Sequence, residues 1–292
     1  MAQLRARPLA ANPPAARRRP WGRWSVRAAA LSYLALMLII PLLVIFQDGL
    51  SQGLTGLWAA VSQPVAKAAL LLTLRTAAVM VAINTVMGTL TAYVLVRYEF
   101  PGKSLLNAVV DLPLAIPTLV TGVMLVVLYG PQQPLGAWLE RTLGWRIIFA
   151  PPGIVLALLF VTFPFVVRAV QPVLLGLDRA VEDAAATLGA GPWTIFRRVT
   201  LPPLILPLTS GALLSFARAV GEFGSIVIVA GNIPLRSQTA AVYVWGEVES
   251  ANRFGASAVS VVLLAIAFTL IVLVDLIQSR QDEARSPGRR AR

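Results

Sequence analysis

The chain contains no cysteine and no histidine. Disulfides, thiol nucleophiles, imidazole acid–base chemistry and the usual zinc ligand sets are therefore excluded, leaving carboxylates, Arg, Lys and hydroxyls for any chemistry. Charge is scarce too: Asp, Glu, Lys and Arg make up 13% of the 292 residues, about half the share of an ordinary soluble domain. Together with 57% hydrophobic residues and a mean hydropathy of +0.76, this argues against a soluble globular fold. Also missing is any GxxxxGK[ST] loop, so the chain carries no phosphate-binding machinery for an ATPase of its own.

What is present is a series of apolar runs long enough to cross the roughly 30 Å hydrocarbon core of a bilayer. Six spans are read at about 28–46, 76–96, 105–129, 152–171, 205–230 and 256–277. They make one all-α polytopic domain over 28–277, between a basic tail at 1–27, read as disordered, and a second at 278–292. Barrel strands would alternate apolar and polar residues, whereas Val261 to Val274 is interrupted only by Thr269. The first run is longer than a signal-peptide core and is followed by Gln47-Asp48 rather than a small-residue cleavage site, so it reads as an uncleaved span.

Lys and Arg number 25 against 13 Asp and Glu, a formal charge of +12. This charge lies between the apolar runs, where it orients spans and meets anionic lipid; a lipid membrane, and not nucleic acid, is the expected partner. With the N-terminus in the cytoplasm, eighteen basic residues fall on that side and six on the other. The positive-inside rule then places both termini and the loop at 172–203 in the cytoplasm.

That loop is the least loop-like in the chain. Asp178, Glu182 and Asp183 stand near its start and Arg197 and Arg198 near its end, complementing a helix dipole, with Ala and Leu between them. Short helices are predicted across the cytoplasmic face, one at about 182–195. The loop reads Asp183-Ala184-Ala185, three residues, Gly189, nine residues, then Val199-Thr200-Leu201-Pro202. This resembles the EAA motif of bacterial ABC importer permeases, with Asp for Glu and Val for Ile. Small residues and a Gly permit close packing against another protein. The resemblance implies that Glu182, Asp183, Ala184, Ala185, Gly189, Leu201 and Pro202 form the element that couples to an ATPase.

Further segments look like the sulfate and thiosulfate permeases: Arg97 to Lys103, Asp111 to Thr118, Phe163 to Arg168, Arg218 to Gly224 and Ala230 to Pro234. Molybdate permeases share the last two. The additional first span, the Gln238 to Val244 stretch and Val248-Glu249-Ser250 lean towards sulfate, and the Ala230 to Pro234 segment fits the T-type rather than the W-type subunit. The resemblance implies a type I (MetI-like) permease fold in a bacterial inner membrane, not catalytic by itself. It implies as partners a cytoplasmic ATPase dimer that binds ATP and Mg, a second, W-type permease and a periplasmic sulfate-binding protein. This chain is expected to bind no cofactor and no metal. Two alternatives stand beside this reading: a molybdate or tungstate ABC permease, and an ion-coupled secondary anion carrier using intramembrane carboxylates.

Ionisable groups inside spans are functional candidates, because a charge at the bilayer centre costs at least about 2.5–3.5 kcal/mol on insertion scales. Arg218 and Glu222, spaced i, i+4, share a helix face and can pair. They are read either as a structural ion pair or as a site where Arg218 draws the anion. Asp111, followed by Pro113 and Pro117, lies in a stretch expected to kink, and is read as a pathway residue or as the partner of a buried Arg.

Overall fold

A computed structural model of the chain describes residues 21–285, with side chains from Trp24 to Gln278; no strand occurs among the described residues. In order, α1 (Trp21–Leu34) runs through a π turn (Ala35–Ile39) into α2 (Ile40–Gly49), followed by α3 (Gly53–Ser62), α4 (Pro64–Arg97), α5 (Lys103–Ala115) and α6 (Thr118–Tyr129). Then come α7 (Pro134–Leu143), α8 (Pro151–Gly176), α9 (Arg179–Thr187) and α10 (Pro192–Ile195), which passes through a second π turn (Phe196–Thr200) into α11 (Leu201–Val220). The last are α12 (Gly224–Ala230), α13 (Ala240–Glu249) and α14 (Arg253–Arg285).

Proline sets many of these bounds. Pro64, Pro134, Pro151 and Pro192 open α4, α7, α8 and α10, where a fixed φ suits the helix and the missing N–H is not needed. Both π turns end two residues before a proline, Pro41 or Pro202. Proline cannot donate and its ring crowds the carbonyl four residues back. The ladder shifts instead to five-residue bonds, Ile40 N–H to the Ala35 carbonyl and Leu201 N–H to that of Phe196.

The chain divides into two compact units at Val44 and Ile45. The first contains α1, the π turn and the start of α2. In the second, α4, α8 and α11 pack around apolar clusters. One joins Leu95, Val96, Val110, Val166, Val170, Leu174 and Leu204 near the C-terminal ends of α4 and α8; another joins Met80, Ile154, Leu158, Ala219 and Ile226 further along. Gly88 lets α4 approach α8 closely, since a Cβ there would stand 2.9 Å from Cβ of Val166. Inside this contact Asn84 donates from Nδ2 to Thr162 Oγ1 at 2.9 Å, satisfying two buried polar groups at once.

Among the described residues five helical stretches are long and apolar enough to span a membrane: Trp24–Gly49, Pro64–Arg97, Pro151–Gly176, Pro192–Val220 and Arg253–Gln278. The α5–α6 pair passes only as a unit and is bent by 109°, giving six if counted as one span. Several predicted boundaries are corrected. The span read at 105–129 is broken at Ile116 and Pro117, because proline removes a bond and forces the preceding residue extended (Ile116 φ −81°, ψ 128°). The span read at 205–230 stops at Val220, and α12 resumes only after Gly221–Phe223. The second and last spans, read at 76–96 and 256–277, lie in longer helices starting at Pro64 and Arg253, and the one read at 152–171 continues to Gly176. Residues 21–27, read as disordered, and 278–285, read as tail, are helical. The rest of both tails, 1–20 and 286–292, lies outside the described residues.

Candidate functional site

The loop read at 172–203 resolves into the end of α8, the whole of α9 and α10, the second π turn and the start of α11. The helix predicted at 182–195 is instead α9, ending at Thr187, because Gly189 turns the chain and Pro192 starts a new helix that leads into α11. Asp178 caps α9, its Oδ1 accepting the Ala180 N–H at 2.9 Å, and Glu182 stands in the first turn, where a negative charge meets the positive helix end. At the other end Gly189 adopts φ +84°. Its N–H donates to the Ala186 carbonyl at 2.9 Å and the Ala190 N–H to that of Ala185 at 3.1 Å, a Schellman closure that calls for a residue free to take positive φ. The glycine of the motif is thus explained by backbone conformation.

The motif residues divide by direction. Asp183, Ala184 and Gly189 are exposed, as are the apolar Leu188 (88%) and Trp193 (71%) beside them. Among the described residues nothing beyond the immediate chain neighbours stands within 4 Å of a Cβ built on Gly189 or Gly191. This is a small, mostly uncharged, uncovered knob. Glu182 turns inward: its Oε1 accepts from Arg97 Nη2 at 2.8 Å and from Thr200 Oγ1 at 2.9 Å. Leu201 and Pro202 act on the backbone, at the junction of the π turn and α11. Before α5, Lys103 bonds Glu99 at 2.7 Å, and this hydrogen bond, with the lysine charge, holds the exposed Glu99 carboxyl below its ordinary pKa.

The intramembrane candidates form two separate clusters. Asp111 on α5 meets Arg168 on α8, with Arg168 Nε on Oδ1 at 2.7 Å and Nη2 on Oδ2 at 2.6 Å. Arg168 also donates to the Asn107 carbonyl, to Asn107 Oδ1 and to Gln171 Oε1. These five bonds use all five N–H groups of a guanidinium. Arg168, read from the sequence as one of the cytoplasmic-side basic residues and as the end of the Phe163 to Arg168 segment, is a saturated clamp between α5 and α8.

Arg218 and Glu222 differ. Arg218 Nη1 lies 2.7 Å from Glu222 Oε2, with the Glu222 side chain 2% exposed and that of Arg218 36%. Glu222 Oε1 accepts both the N–H and the Oγ–H of Ser225, each at 2.9 Å. The carboxylate is held from both sides across the break between α11 and α12, and the guanidinium keeps one exposed flank. The cavity beside the break, about 450 Å³, is lined by Val220, Gly221, Phe223, Val244 and Trp245 among others; such apolar walls cannot replace the hydration of an oxyanion. A smaller cavity of about 300 Å³ has Arg75, Arg236 and Gln238 in its wall. Neither arginine is in an ion pair among the described residues. Sequence reasoning missed this pairing, because residues 75 and 236 meet only in the fold. Gly231-Asn232-Ile233-Pro234 forms a turn, with positive φ at Gly231 and Asn232 and the Ile233 carbonyl accepting three N–H groups.

Comparison with known proteins shows which family the chain resembles. The chain is 42% identical over 252 residues to the probable sulfate transport system permease protein CysT of Nephroselmis olivacea, covering 86% of this chain and 88% of that one. It is 39% identical over 259 residues to the sulfate transport system permease protein CysT of Synechocystis sp., covering 89% and 88%. Among solved structures, a bacterial alginate ABC transporter in complex with an alginate-bound periplasmic protein superposes with a TM-score of 0.73 at 15% identity, over 90% of this chain and 95% of that one. At that identity the likeness shows the fold alone. Residues 84–285 match the binding-protein-dependent transport system inner membrane component family, and the chain is a multi-pass membrane protein belonging to that family.

Proposed function

We propose that this chain is a permease subunit of an ATP-driven importer of sulfate, with thiosulfate as a second substrate, in a bacterial inner membrane. The observation that carries the substrate is the near full-length similarity to sulfate permeases, about 40% identical over more than 85% of the chain. The coupling reading is supported by the exposed knob of α9, bounded by the Asp178 cap and the Gly189 turn. A cytoplasmic ATPase dimer, which supplies ATP and Mg chemistry, receives this knob. A second permease of the W type and a periplasmic sulfate-binding protein complete the assembly. The basic residues near α9 put that end in the cytoplasm together with both termini.

In this mechanism ATP binding closes the ATPase dimer and moves α9, opening the permease pair outward to receive the anion; hydrolysis resets it. That is alternating access by rigid-body motion. Arg218, with a flank not engaged by Glu222, is the anion-contacting candidate. Asp111 serves the bundle through its bonds to Arg168.

The test is uptake of radiolabelled sulfate by permease-deficient cells carrying this chain with its ATPase, second permease and binding protein, molybdate being the competitor. The expected result is sulfate uptake that requires the ATPase and ignores low molybdate. Uptake of molybdate alone would overturn the substrate, and sulfate uptake without the ATPase would overturn the coupling.

A further inference from the structure

α9 joins its neighbours in sequence through short non-helical links. Leu177 and Asp178 are extended residues after α8, and Gly189-Ala190-Gly191 leads on to α10 with open space around both glycines. Neither link is built to transmit a push. The polar bonds of α9 lead elsewhere. Arg97, the last residue of α4, donates from Nη2 to Glu182 Oε1 at 2.8 Å. In the reverse direction Arg179, the first residue of α9, donates to the carbonyls of Val96 at 3.0 Å and Arg97 at 3.1 Å. Those carbonyls lie in the last turn of α4, where the helix leaves its acceptors unpaired and a cation is favourable. The same Glu182 oxygen takes Thr200 Oγ1 at 2.9 Å, so one carboxylate joins α4, α9 and the π turn before α11.

The Arg97 and Glu182 side chains are only 8% and 16% exposed, so parting them strands a charge in a low-dielectric site. Of the long helices around α9, the one they grip has no internal proline. α8 has Pro164 and Pro172 inside it, and α11 follows a π turn and holds Pro207. α4 runs 34 residues with no proline beyond its first position. From Arg97 back to Thr73 this helix extends about 36 Å at 1.5 Å per residue. There Thr73 Oγ1 accepts the N–H of Ala240, the first residue of α13, at 2.9 Å.

We infer that Arg97, Arg179 and Glu182 latch α9 to the end of α4, making α4 the rod that carries a displacement of α9 to the α13 end of the protein. What displaces α9 rests on the function proposed above; the latch itself does not. Arg97, Arg179 and Glu182 are positioning residues.

The test uses the complete transporter in proteoliposomes, with Arg97→Glu, Glu182→Arg and the double swap. It reads sulfate taken up per ATP hydrolysed, and hydrogen exchange of the α9 amides. Each single reversal is expected to lower uptake per ATP and speed α9 exchange by about tenfold, while the swap recovers both to within about threefold. Single reversals that change neither quantity overturn the latch, and so does an assembled swap that recovers neither. If the reversals do not assemble, Arg179→Gln, at an exposed position, removes the charge and the guanidinium bonds on the α4 carbonyls while leaving the Arg97–Glu182 pair in place; exchange unchanged in that variant also overturns it. A wild-type complex without ATP-driven sulfate uptake would sink the proposed function, while α9 exchange would still decide the latch.

Discussion

At the residue scale, Gly189 is required for its conformation rather than its size. Its φ of +84° is strained for any L side chain, yet a Cβ would meet nothing within 4 Å. Gly189→Ala therefore adds backbone strain of about 1–2 kcal/mol with no clash among the described residues, whereas Gly189→Trp also places a bulky ring on the face proposed to dock. Gly189→Asn, better tolerated at positive φ, is expected to keep most sulfate uptake, Gly189→Ala to lose part of it, and Gly189→Trp to abolish uptake while membrane insertion persists. Uptake assays with immunoblots of the membrane fraction decide this; full uptake by the Trp variant, with the ATPase assembled, would remove α9 as the coupling element. The two acids of the motif show what sequence conceals at this scale. Glu182 and Asp183 are adjacent and chemically alike, but successive helical positions point about 100° apart, so one is bonded to Arg97 and the other is exposed.

At the element scale, α4 connects two ends of the protein. If it acts as a rod, its bond to α13 matters as much as its grip on α9. Thr73→Val keeps the shape of the side chain but leaves the buried Ala240 N–H without its acceptor, a loss of about 1–3 kcal/mol. Uptake per ATP is expected to fall several-fold while hydrogen exchange of α9 stays at the wild-type rate, since the latch lies about 36 Å away along the helix. Equal disturbance of both would mean a general loss of packing. Apolar length and the absence of alternation made the helical spans legible in the sequence, but their ends were less so. Pro113 and Pro117 signalled a kink at Asp111, and the structure turns this kink into a 109° break. The break at Gly221–Phe223 escaped notice because the residues on both sides are apolar enough to read as one continuous span.

At the scale of the whole molecule, the charge balance of +12 bears on how a divalent anion approaches. Arg75 and Arg236 share a cavity wall without a carboxylate partner among the described residues. On the proposed topology that cavity lies at the outer side. Two uncompensated cations there raise the local anion concentration, an effect screened over about 8 Å at physiological ionic strength. Replacing both with Gln is expected to slow uptake several-fold at low salt and much less at high salt. A deficit that is independent of salt would assign these arginines a structural role instead.

The sequence by itself determined the membrane class and the approximate helical spans and, through the spacing from Asp183 to Pro202, singled out the segment proposed to meet a partner. These follow from composition and from local periodicity, which act over neighbouring residues. Only the tertiary structure decided which charges are used up. Arg168 and Arg218 look alike in the sequence, each an arginine among apolar residues. Yet α5 brings the Asp111 carboxylate and the side-chain and backbone oxygens of Asn107 to Arg168, and Gln171 of α8 takes the last N–H, while Arg218 meets a single carboxylate and keeps an exposed flank. The difference arises because a guanidinium's partners come from helices distant in sequence, and their arrival is set by packing.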